Sequence, residues 1–301
     1  MSIPIVKTVE LTKRYQSAGT LALAGITLEL NGQGVFTILG RNGAGKTTLL
    51  RIIATQLMPT TGQVFVLGFD AIKEAKMVRR NITVMPQEGS TLPPLTPWDH
   101  VYYLLRVRGV SKSDAEDSTL EVMQKLDLVD CMHVHADQLS GGLRQRTMVA
   151  MAMATKARLL LLDEPTLGLD PLSRRRIWKV IREYCKTYGS VILTTHYLEE
   201  AEVLSDDIVI LSKGKMIAQG NVDALKNIVK EKTKVEVYEG FTDEELQSYG
   251  RLVVVADRRR VLTDPRAAQE LVNEAITRGV KAQTSPITLD DVFVDLAEEE
   301  S

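Results

Sequence analysis

The fold is decided by the stretch VFTILGRNGAGKTT, residues 35–48, in which an apolar pentapeptide leads into a glycine-rich loop. The apolar run Val35–Leu39 predicts a strand buried on both faces, and the periodicity of Thr47–Gln56 predicts a helix. Between them, Gly40–Thr47 has the form G-x-x-x-x-G-K-[ST], whose glycines let successive backbone N–H groups surround phosphate oxygens at a helix N-terminus. The stretch therefore predicts a phosphate-binding loop in an α/β fold.

This loop supplies the first candidate binding residues. Lys46 would reach the β and γ phosphates, and the hydroxyl of Thr47 would bind Mg²⁺. The residues expected to bind the phosphates are Gly40, Asn42, Gly43, Ala44, Gly45, Lys46, Thr47 and Thr48. The alternative is an accidental match, with a chance on the order of one per cent for a chain of this length. The loop alone does not distinguish a kinase, a GTPase, a motor and a transport ATPase.

A second apolar run, Leu159–Leu162, ends in the two carboxylates Asp163 and Glu164. An acid at the carboxyl end of a parallel strand lies in the ligand crevice of an α/β sheet. Asp163 would hold Mg²⁺, directly or through water, and Glu164 would orient and polarise the attacking water. The alternative is a helix-capping acid pair, which is common when such a pair occurs without a phosphate loop.

The composition excludes several classes of protein. The chain has 301 residues, 44% of them hydrophobic and 25% charged, and its 37 basic residues nearly balance its 39 acidic residues. Without a net positive field, nucleic acid is not an expected partner. The two cysteines, Cys131 and Cys185, indicate neither a disulfide framework nor a metal cluster. No apolar run reaches the roughly 20 residues that cross a bilayer, and the N-terminus does not resemble a signal peptide, so a cytoplasmic location is expected.

The order of predicted elements indicates a mostly parallel sheet between helices, with an antiparallel β subdomain before it and a helical insertion within it. The insertion spans about residues 90–140, and in it Ser113 and Glu116 are predicted to cap a helix as a capping box. A smaller α+β unit follows from about residue 226. The segments that carry these predictions are Val6–Leu30 for the antiparallel strands, Asp99–Arg108 for a helix, Val191–Thr194 and Ile208–Leu211 for strands, and Lys234–Tyr238, Leu252–Val255 and Ala267–Ala275 for the small unit.

Between the two motifs stands Leu139-Ser140-Gly141-Gly142, which opens a helical pattern. Alone, Ser-Gly-Gly before a helix is an ordinary cap. Here the sequence is similar to ATP-binding-cassette (ABC) ATPases, whose signature begins LSGG and stands shortly before the strand that carries the Mg²⁺ aspartate. The fifth signature position, often glutamine, is Leu143, whose side chain cannot form a polar contact there.

The resemblance assigns roles to four further residues. Gln87 corresponds to the glutamine that senses γ-phosphate and metal, and Asp170 to the end of the loop that passes between subunits. His196 corresponds to the switch histidine, and Tyr15 to an aromatic residue that stacks on adenine. The structural alternatives are a surface loop residue for Gln87, a capping or core histidine for His196 and an edge-strand aromatic for Tyr15.

The resemblance covers about residues 5–225 and implies an ATPase that binds ATP and Mg²⁺ in a head-to-tail dimer, for which identical subunits are expected. One subunit would supply the phosphate loop, Gln87, Asp163, Glu164 and His196; the other would supply Ser140, Gly141, Gly142 and Asp170. It also implies a separate membrane permease as partner and a peripheral location at the inner face of the membrane. The segment Ile287–Phe293 is similar to the tails of drug-resistance and polysaccharide-export members, which favours export.

Two other functions remain open at this point. One is a soluble cassette that acts on ribosomes or DNA, although such relatives usually carry two cassettes or long coiled-coil insertions. The other is a different phosphate-loop enzyme, such as a GTPase, although no Asn-Lys-x-Asp guanine-reading motif occurs.

Overall fold

The computed structural model describes residues 3–15, 19–255 and 258–299, and the chain divides into two compact units, Met1–Gln219 and Gly220–Ser301. The strands up to residue 220 are β1 (Val6–Arg14), β2 (Leu21–Leu30), β3 (Val35–Leu39), β4 (Thr61–Val66), β5 (Phe69–Asp70), β6 (Ile82–Met85), β7 (Leu159–Asp163), β8 (Ser190–Thr195), β9 (Asp207–Ser212) and β10 (Lys215–Gly220). The α-helices are α1 (Lys46–Ile53), α2 (Ala75–Asn81), α3 (Pro97–Val107), α4 (Lys112–Lys125), α5 (Gly141–Ala154), α6 (Pro171–Thr187) and α7 (Leu198–Leu204).

A six-stranded sheet forms the centre of the first unit, in the order β10-β9-β3-β8-β7-β6. Strands β9, β3, β8, β7 and β6 run parallel. Successive side chains of a strand point to opposite faces, and Val35 and Phe36 accordingly belong to two different hydrophobic cores. Helix α1 contributes to one core and helices α3 to α6 to the other. The predicted burial of both sheet faces is thus confirmed.

A second sheet in this unit has four strands in the order β2-β1-β4-β5, and all of its pairs are antiparallel. Its buried residues, such as Val6, Leu28 and Val64, share a core with Leu49 and Ile53 of α1. The predicted antiparallel subdomain therefore packs on the helix that follows the phosphate loop.

The helical insertion contains α3 and α4, and one prediction for it was wrong. Ser113 and Glu116 do not form the capping box of α4, which begins one residue before Ser113. The N-cap is Ser111, whose Oγ accepts a hydrogen bond from the Asp114 backbone N–H and donates one to the Asp114 carboxylate. Ser111 takes this position because Asp114, three residues later, satisfies its hydroxyl in return.

The second unit is a small α+β fold, as predicted. Its elements are α8 (Val222–Lys226), β11 (Thr233–Val237), α9 (Asp243–Gln247), β12 (Arg251–Val255), β13 (Arg258–Thr263), α10 (Pro265–Thr277), β14 (Ala282–Pro286) and α11 (Leu289–Glu299). The sheet is antiparallel in the order β12-β13-β11-β14. Its core joins Val235 and Val261 of the sheet to Leu271 and Ala275 of α10.

The start of α11 is joined to this sheet by a buried ion pair. Nζ of Lys234, on β11, lies 2.7 Å from Oδ2 of Asp291 and 3.0 Å from Oγ1 of Thr288. The Thr288 backbone N–H also donates to Oδ2 of Asp291, at 2.8 Å. Lys234 and Asp291 are both almost fully buried. Buried charges require such partners, so the segment Ile287–Phe293 is fixed by polar contacts as well as apolar packing.

Candidate active site

The loop between β3 and α1 has a conformation that only glycine adopts readily. Gly45 directly precedes α1 with φ of 104°, and Gly43 has φ of 81°. A Cβ on Gly45 would lie 2.5 Å from the carbonyl oxygen of Ala22, and one on Gly40 would lie 2.5 Å from that of Leu211. Side chains at these positions would therefore displace neighbouring backbone, so the glycines shape the loop as the sequence predicted.

Lys46 is buried beneath this loop, and its ammonium group is held by the loop itself. Nζ donates to the carbonyl oxygens of Gly40, at 2.8 Å, and Arg41, at 3.3 Å. It also lies 3.6 Å from Oε1 of Glu164, which is equally buried. A buried ammonium requires acceptors. A bound phosphate would offer stronger, charged acceptors than these carbonyls.

One carboxylate oxygen of Asp163 accepts hydrogen bonds from two hydroxyl groups. Oγ1 of Thr47 donates to Oδ1 of Asp163 at 3.1 Å, and Oγ1 of Thr194 donates to the same atom at 2.5 Å. Among the described residues, none donates to Oδ2. The structure thus brings together Thr47 and Asp163, two of the three residues predicted to bind a hard divalent cation through oxygen.

Glu164 occupies a strained backbone position. Its φ of 52° is in the left-handed region, which costs a residue with a side chain about 1–3 kcal/mol. Its N–H donates to the carbonyl oxygen of Thr194, at 3.2 Å, and to Oγ1 of that residue, at 3.0 Å. Its carboxylate lies between the imidazole of His196 and the ammonium group of Lys46. Oε2 is 2.8 Å from Nδ1 of His196, and Oε1 is 3.6 Å from Nζ of Lys46. The residue predicted to polarise water is therefore held in a strained backbone conformation.

A single cleft of about 390 Å³ collects most of the predicted nucleotide residues. It is lined by Ala22, Asn42, Gly43, Ala44, Gly45, Lys46, Thr47, Thr48, Gln87 and Glu164. Gln87 follows β6 and reaches the same cleft as the phosphate loop, where the sequence placed it. The cleft therefore joins phosphate-binding donors to the side chains predicted to act on the terminal phosphate.

Tyr15 lies beside the phosphate loop but is not among the residues that line the cleft. Its hydroxyl is 3.3 Å from Oγ1 of Thr48, and Nζ of Lys13 is 5.5 Å from the centre of its ring. The ring is partly exposed. This position leaves a role in adenine stacking as a prediction.

The residues predicted to serve a second nucleotide lie outside this cleft. Ser140 is exposed and caps α5, where its Oγ accepts from the Leu143 backbone N–H at 3.3 Å. Asp170 is exposed and caps α6, and the hydroxyl of Ser173 lowers the pKa of its carboxyl group. Gly141 and Gly142 form the first turn of α5, whose N–H groups face outward from the helix end. None of these residues lines the cleft of its own subunit.

Two residues that connect the site were missed at the sequence level. Nε2 of Gln145 donates to the carbonyl oxygens of Pro165, at 2.9 Å, and Glu164, at 3.3 Å. The signature helix α5 is thereby bonded to the loop that follows Glu164. Thr194 was predicted only as part of an apolar strand. Its hydroxyl group, directly after the apolar residues Val191–Leu193, was the feature that could have indicated a polar role.

Glu200 was also missed, and it joins three elements around the loop that ends at Asp170. Its Oε1 accepts from Oγ1 of Thr166 and from Nε1 of Trp178, both at 2.8 Å. Burial raises the pKa of Glu200, and hydrogen bonds from Thr195, Thr166 and Trp178 oppose that rise. The loop after Glu164 is thus tied to α6 and to α7, which follows His196.

Comparison with known proteins agrees with this geometry. Residues 23–167 match the family model described as ABC transporter. The chain is 33% identical to the daunorubicin resistance ATP-binding protein DrrA3 of Streptomyces coeruleorubidus, and the match covers 94% of this chain and 93% of that protein. The chain belongs to the ATP-binding-cassette family. This ABC chain is therefore an ATPase that binds ATP.

Other ABC proteins match over the first unit. The daunorubicin/doxorubicin resistance ATP-binding protein DrrA of Streptomyces peucetius is 37% identical over 74% of this chain and 67% of its own length. A solved ABC cassette, described as a dimeric post-hydrolysis state bound to ADP and Pi, is 26% identical with a TM-score of 0.66, over 72% of this chain and 98% of that one. Two mammalian relatives are far longer, and this ABC chain spans 9% of their length.

No helix among the described residues is long and apolar enough to cross a membrane.

Proposed function

We propose that this ABC ATPase dimerises head to tail around two ATP molecules and drives transport through a separate membrane permease. The observation that supports this best is the division of the predicted nucleotide residues into two groups. Gly45, Lys46 and Glu164 line one cleft, whereas Ser140 and Asp170 are exposed outside it. Two copies related by a two-fold axis would complete each cleft with the other copy's Ser140 and Asp170.

The phosphate loop and Lys46 bind the β and γ phosphates of ATP. Thr47, Asp163 and Gln87 would hold Mg²⁺ with the phosphate oxygens, and the ion would neutralise charge that develops on the phosphates. The residues present suit this cation. No cluster of three histidine, cysteine or carboxylate side chains capable of binding a metal occurs among the described residues, and Mg²⁺ is commonly held by one or two protein oxygens plus phosphate.

Glu164 orients and polarises the attacking water. Its ionised carboxylate can accept a proton, and its position between Lys46 and His196 fixes both oxygens. The N-terminus of α5, with Ser140 and the Gly141 and Gly142 amides, supplies hydrogen-bond donors to the γ phosphate from the other subunit. Because these donors interact with γ phosphate only while ATP is intact, ATP closes the dimer and hydrolysis allows it to open.

The segment from Leu92 to Arg108, which includes α3, is the proposed docking site for the permease. Leu92, Tyr103 and Val107 have exposed side chains, and 86% of Val107 is accessible. Near the end of α3, Arg108 and Arg79 border a surface cavity of about 590 Å³ that also contains apolar residues of β6. A short apolar segment of a membrane protein would cover such a surface. The names of the two resistance proteins favour export, and in an exporter this chain would act at the inner face of the membrane.

A test of the dimer uses Glu164→Gln, with and without ATP and Mg²⁺. We expect a stable dimer by light scattering with ATP, and a monomer when Ser140→Ala is added to the same chain. An equimolar mixture of Ser140→Ala and Lys46→Ala chains should regain hydrolysis at one composite site. Full turnover by a strict monomer would refute the proposal.

A test of docking compares Val107→Asp with Val203→Asp, a matched exposed valine on α7. Co-expressed with its permease, the Val107 variant should leave the membrane fraction and keep the basal ATPase activity of the free subunit. The Val203 variant should remain membrane-bound. Equal membrane binding by both variants would reject docking at α3, and a chain that never associates with membranes would indicate a cassette that acts without a permease.

A further inference from the structure

We propose that Thr194 is a positioning residue that sets the geometry of both Asp163 and Glu164 through one hydroxyl group. The proposal rests on the roles given to those two carboxylates above. Thr194 is on β8, which pairs in parallel with β7. The strand register places Thr194 directly beside Asp163. Its side chain is fully buried.

The hydrogen bonds of this hydroxyl have a fixed direction. A threonine hydroxyl has one proton and two lone pairs, and an ionised carboxylate can only accept. The proton of Thr194 therefore goes to Oδ1 of Asp163, and one lone pair accepts the N–H of Glu164. The resulting chain, Glu164 N–H to Thr194 O–H to Asp163 carboxylate, is cooperative because each bond polarises the next.

This chain controls the orientation of the Asp163 carboxylate. Oδ1 is occupied by the hydroxyl groups of Thr194 and Thr47, so the carboxylate is held against rotation and its second oxygen keeps one direction. The proton of Thr47 is also used toward Asp163, which leaves the lone pairs of its hydroxyl for a cation. Loss of the Thr194 hydroxyl would leave Asp163 with a single, longer hydrogen bond.

The same hydroxyl stabilises the left-handed backbone of Glu164. The N–H of Glu164 is shared between the carbonyl oxygen and Oγ1 of Thr194, and the Oγ1 contact is the shorter of the two. This backbone conformation directs the carboxylate toward His196 and Lys46. A relaxed backbone at Glu164 would move its carboxylate, and a displacement of about 1 Å in a catalytic group can cost about 100-fold in rate.

Packing does not require a hydroxyl at this position. Thr194 is in the interior strand of a sheet whose other residues on β8 include Val191, Ile192 and Leu193, all fully buried. Valine has nearly the same shape as threonine and a high preference for strands. The hydroxyl therefore contributes through its two polar partners and not through packing.

The test compares Thr194→Val, Thr194→Ser and a matched control, Thr37→Val. Thr37 is equally buried on the neighbouring strand β3, and its Oγ1 bonds only the hydroxyl of Ser205 among the described residues. We expect Thr194→Val to lower kcat about 10- to 100-fold, to leave the affinity for ATP without metal within about threefold, and to raise the Mg²⁺ concentration for half-maximal activity. Thr194→Ser should restore kcat to within about threefold of wild type, and Thr37→Val should keep it.

Three results would overturn the inference: a wild-type kcat in Thr194→Val, no recovery in Thr194→Ser, or an equal loss in Thr37→Val. Measurement of Glu164→Gln in parallel distinguishes a failure of the role proposed for Thr194 from a failure of the role proposed for Glu164. An inactive Glu164→Gln with a fully active Thr194→Val would reject the role of Thr194 alone. An active Glu164→Gln would reject the proposed function of Glu164 itself.

Discussion

Nδ1 of His196 lies 2.8 Å from Oε2 of Glu164, in a contact formed between the ends of two adjacent parallel strands. Because an ionised carboxylate only accepts hydrogen bonds, Nδ1 of the imidazole carries a proton in this contact. His196 therefore restrains the carboxylate that is proposed to polarise water.

We expect His196→Ala to lower kcat about 100-fold, since a poorly oriented base loses most of its contribution, while the affinity for ATP changes less than about threefold. Steady-state hydrolysis and nucleotide titration would measure the two effects. His135→Ala, at an exposed position in the helical insertion, serves as the control and should behave as wild type. A His196→Ala enzyme with normal turnover would show that Glu164 is positioned without this contact.

Gly43 and Gly45 allow the cost of a left-handed backbone to be separated from a steric clash. Both have positive φ, but a Cβ on Gly43 would have no neighbour within 4 Å, whereas one on Gly45 would strike the Ala22 carbonyl. Gly43→Ala should lower the free energy of unfolding by about 1 kcal/mol, and Gly45→Ala by clearly more, with a greater loss of ATP affinity. Denaturant unfolding and nucleotide titration would test this order, and equal effects would contradict the clash.

Lys46→Ala should weaken ATP binding strongly, because it removes the only side-chain ammonium that lines the described cleft. We expect at least about a 100-fold rise in the dissociation constant, the size of one or two charge-assisted hydrogen bonds. Calorimetric titration with a non-hydrolysable ATP analogue would measure it. Lys13→Ala, near Tyr15 but outside the cleft, is the matched control, and a comparable loss there would indicate a general electrostatic effect.

Glu200 gives a prediction for the dependence of stability on pH. Burial raises its pKa in the folded state, so its contribution to stability is fully present below the unfolded-state pKa and is lost as the pH rises through the folded-state value. Glu200→Gln imitates the protonated form and does not lose this contribution. Its free energy of unfolding relative to wild type should therefore increase as the pH rises from about 4 toward 8.

Glu200→Ala controls for the loss of hydrogen bonds at the same position. It leaves the donors of Thr166 and Trp178 without their acceptor and should be destabilising by about 2–4 kcal/mol at low pH, and this deficit should shrink as the pH rises because wild type alone loses stability. Urea unfolding of the three proteins between about pH 4 and 8 would measure both effects. A constant difference between Glu200→Gln and wild type would contradict the raised pKa.

The parts of the site that could be predicted from the sequence are those that depend on local order along the chain. Strand β3 was predicted with the observed bounds, and the phosphate loop and Asp163 follow from an apolar run and the residues directly after it. Gln87 and His196 were assigned by resemblance, and the structure places them at the cleft and at Glu164. These features can be recognised from the sequence alone because each motif is adjacent in the chain to the strand or helix that positions it.

The unpredicted parts depend on register between distant segments. The contact of Thr194 with Asp163 requires β8 to pair with β7 in one alignment, and nothing in either segment specifies which residues will be opposite. In the second unit, β13 was not predicted because its first residues are three arginines. Arg260 lies in this strand because Glu236 and Asp290, remote in sequence, neutralise it.

The ion pair between Lys234 and Asp291 has a consequence for how this sequence can diverge. Loss of Asp291 would leave the buried ammonium of Lys234 without a charged partner among the described residues, at a cost of about 3–5 kcal/mol, whereas exchange of both residues for apolar ones of similar volume can be neutral. Replacement of Asp291 alone therefore passes through an unstable protein. Lineages that descend from a common ancestor with this chain should keep both residues or have replaced both, so the two positions should covary across homologous sequences.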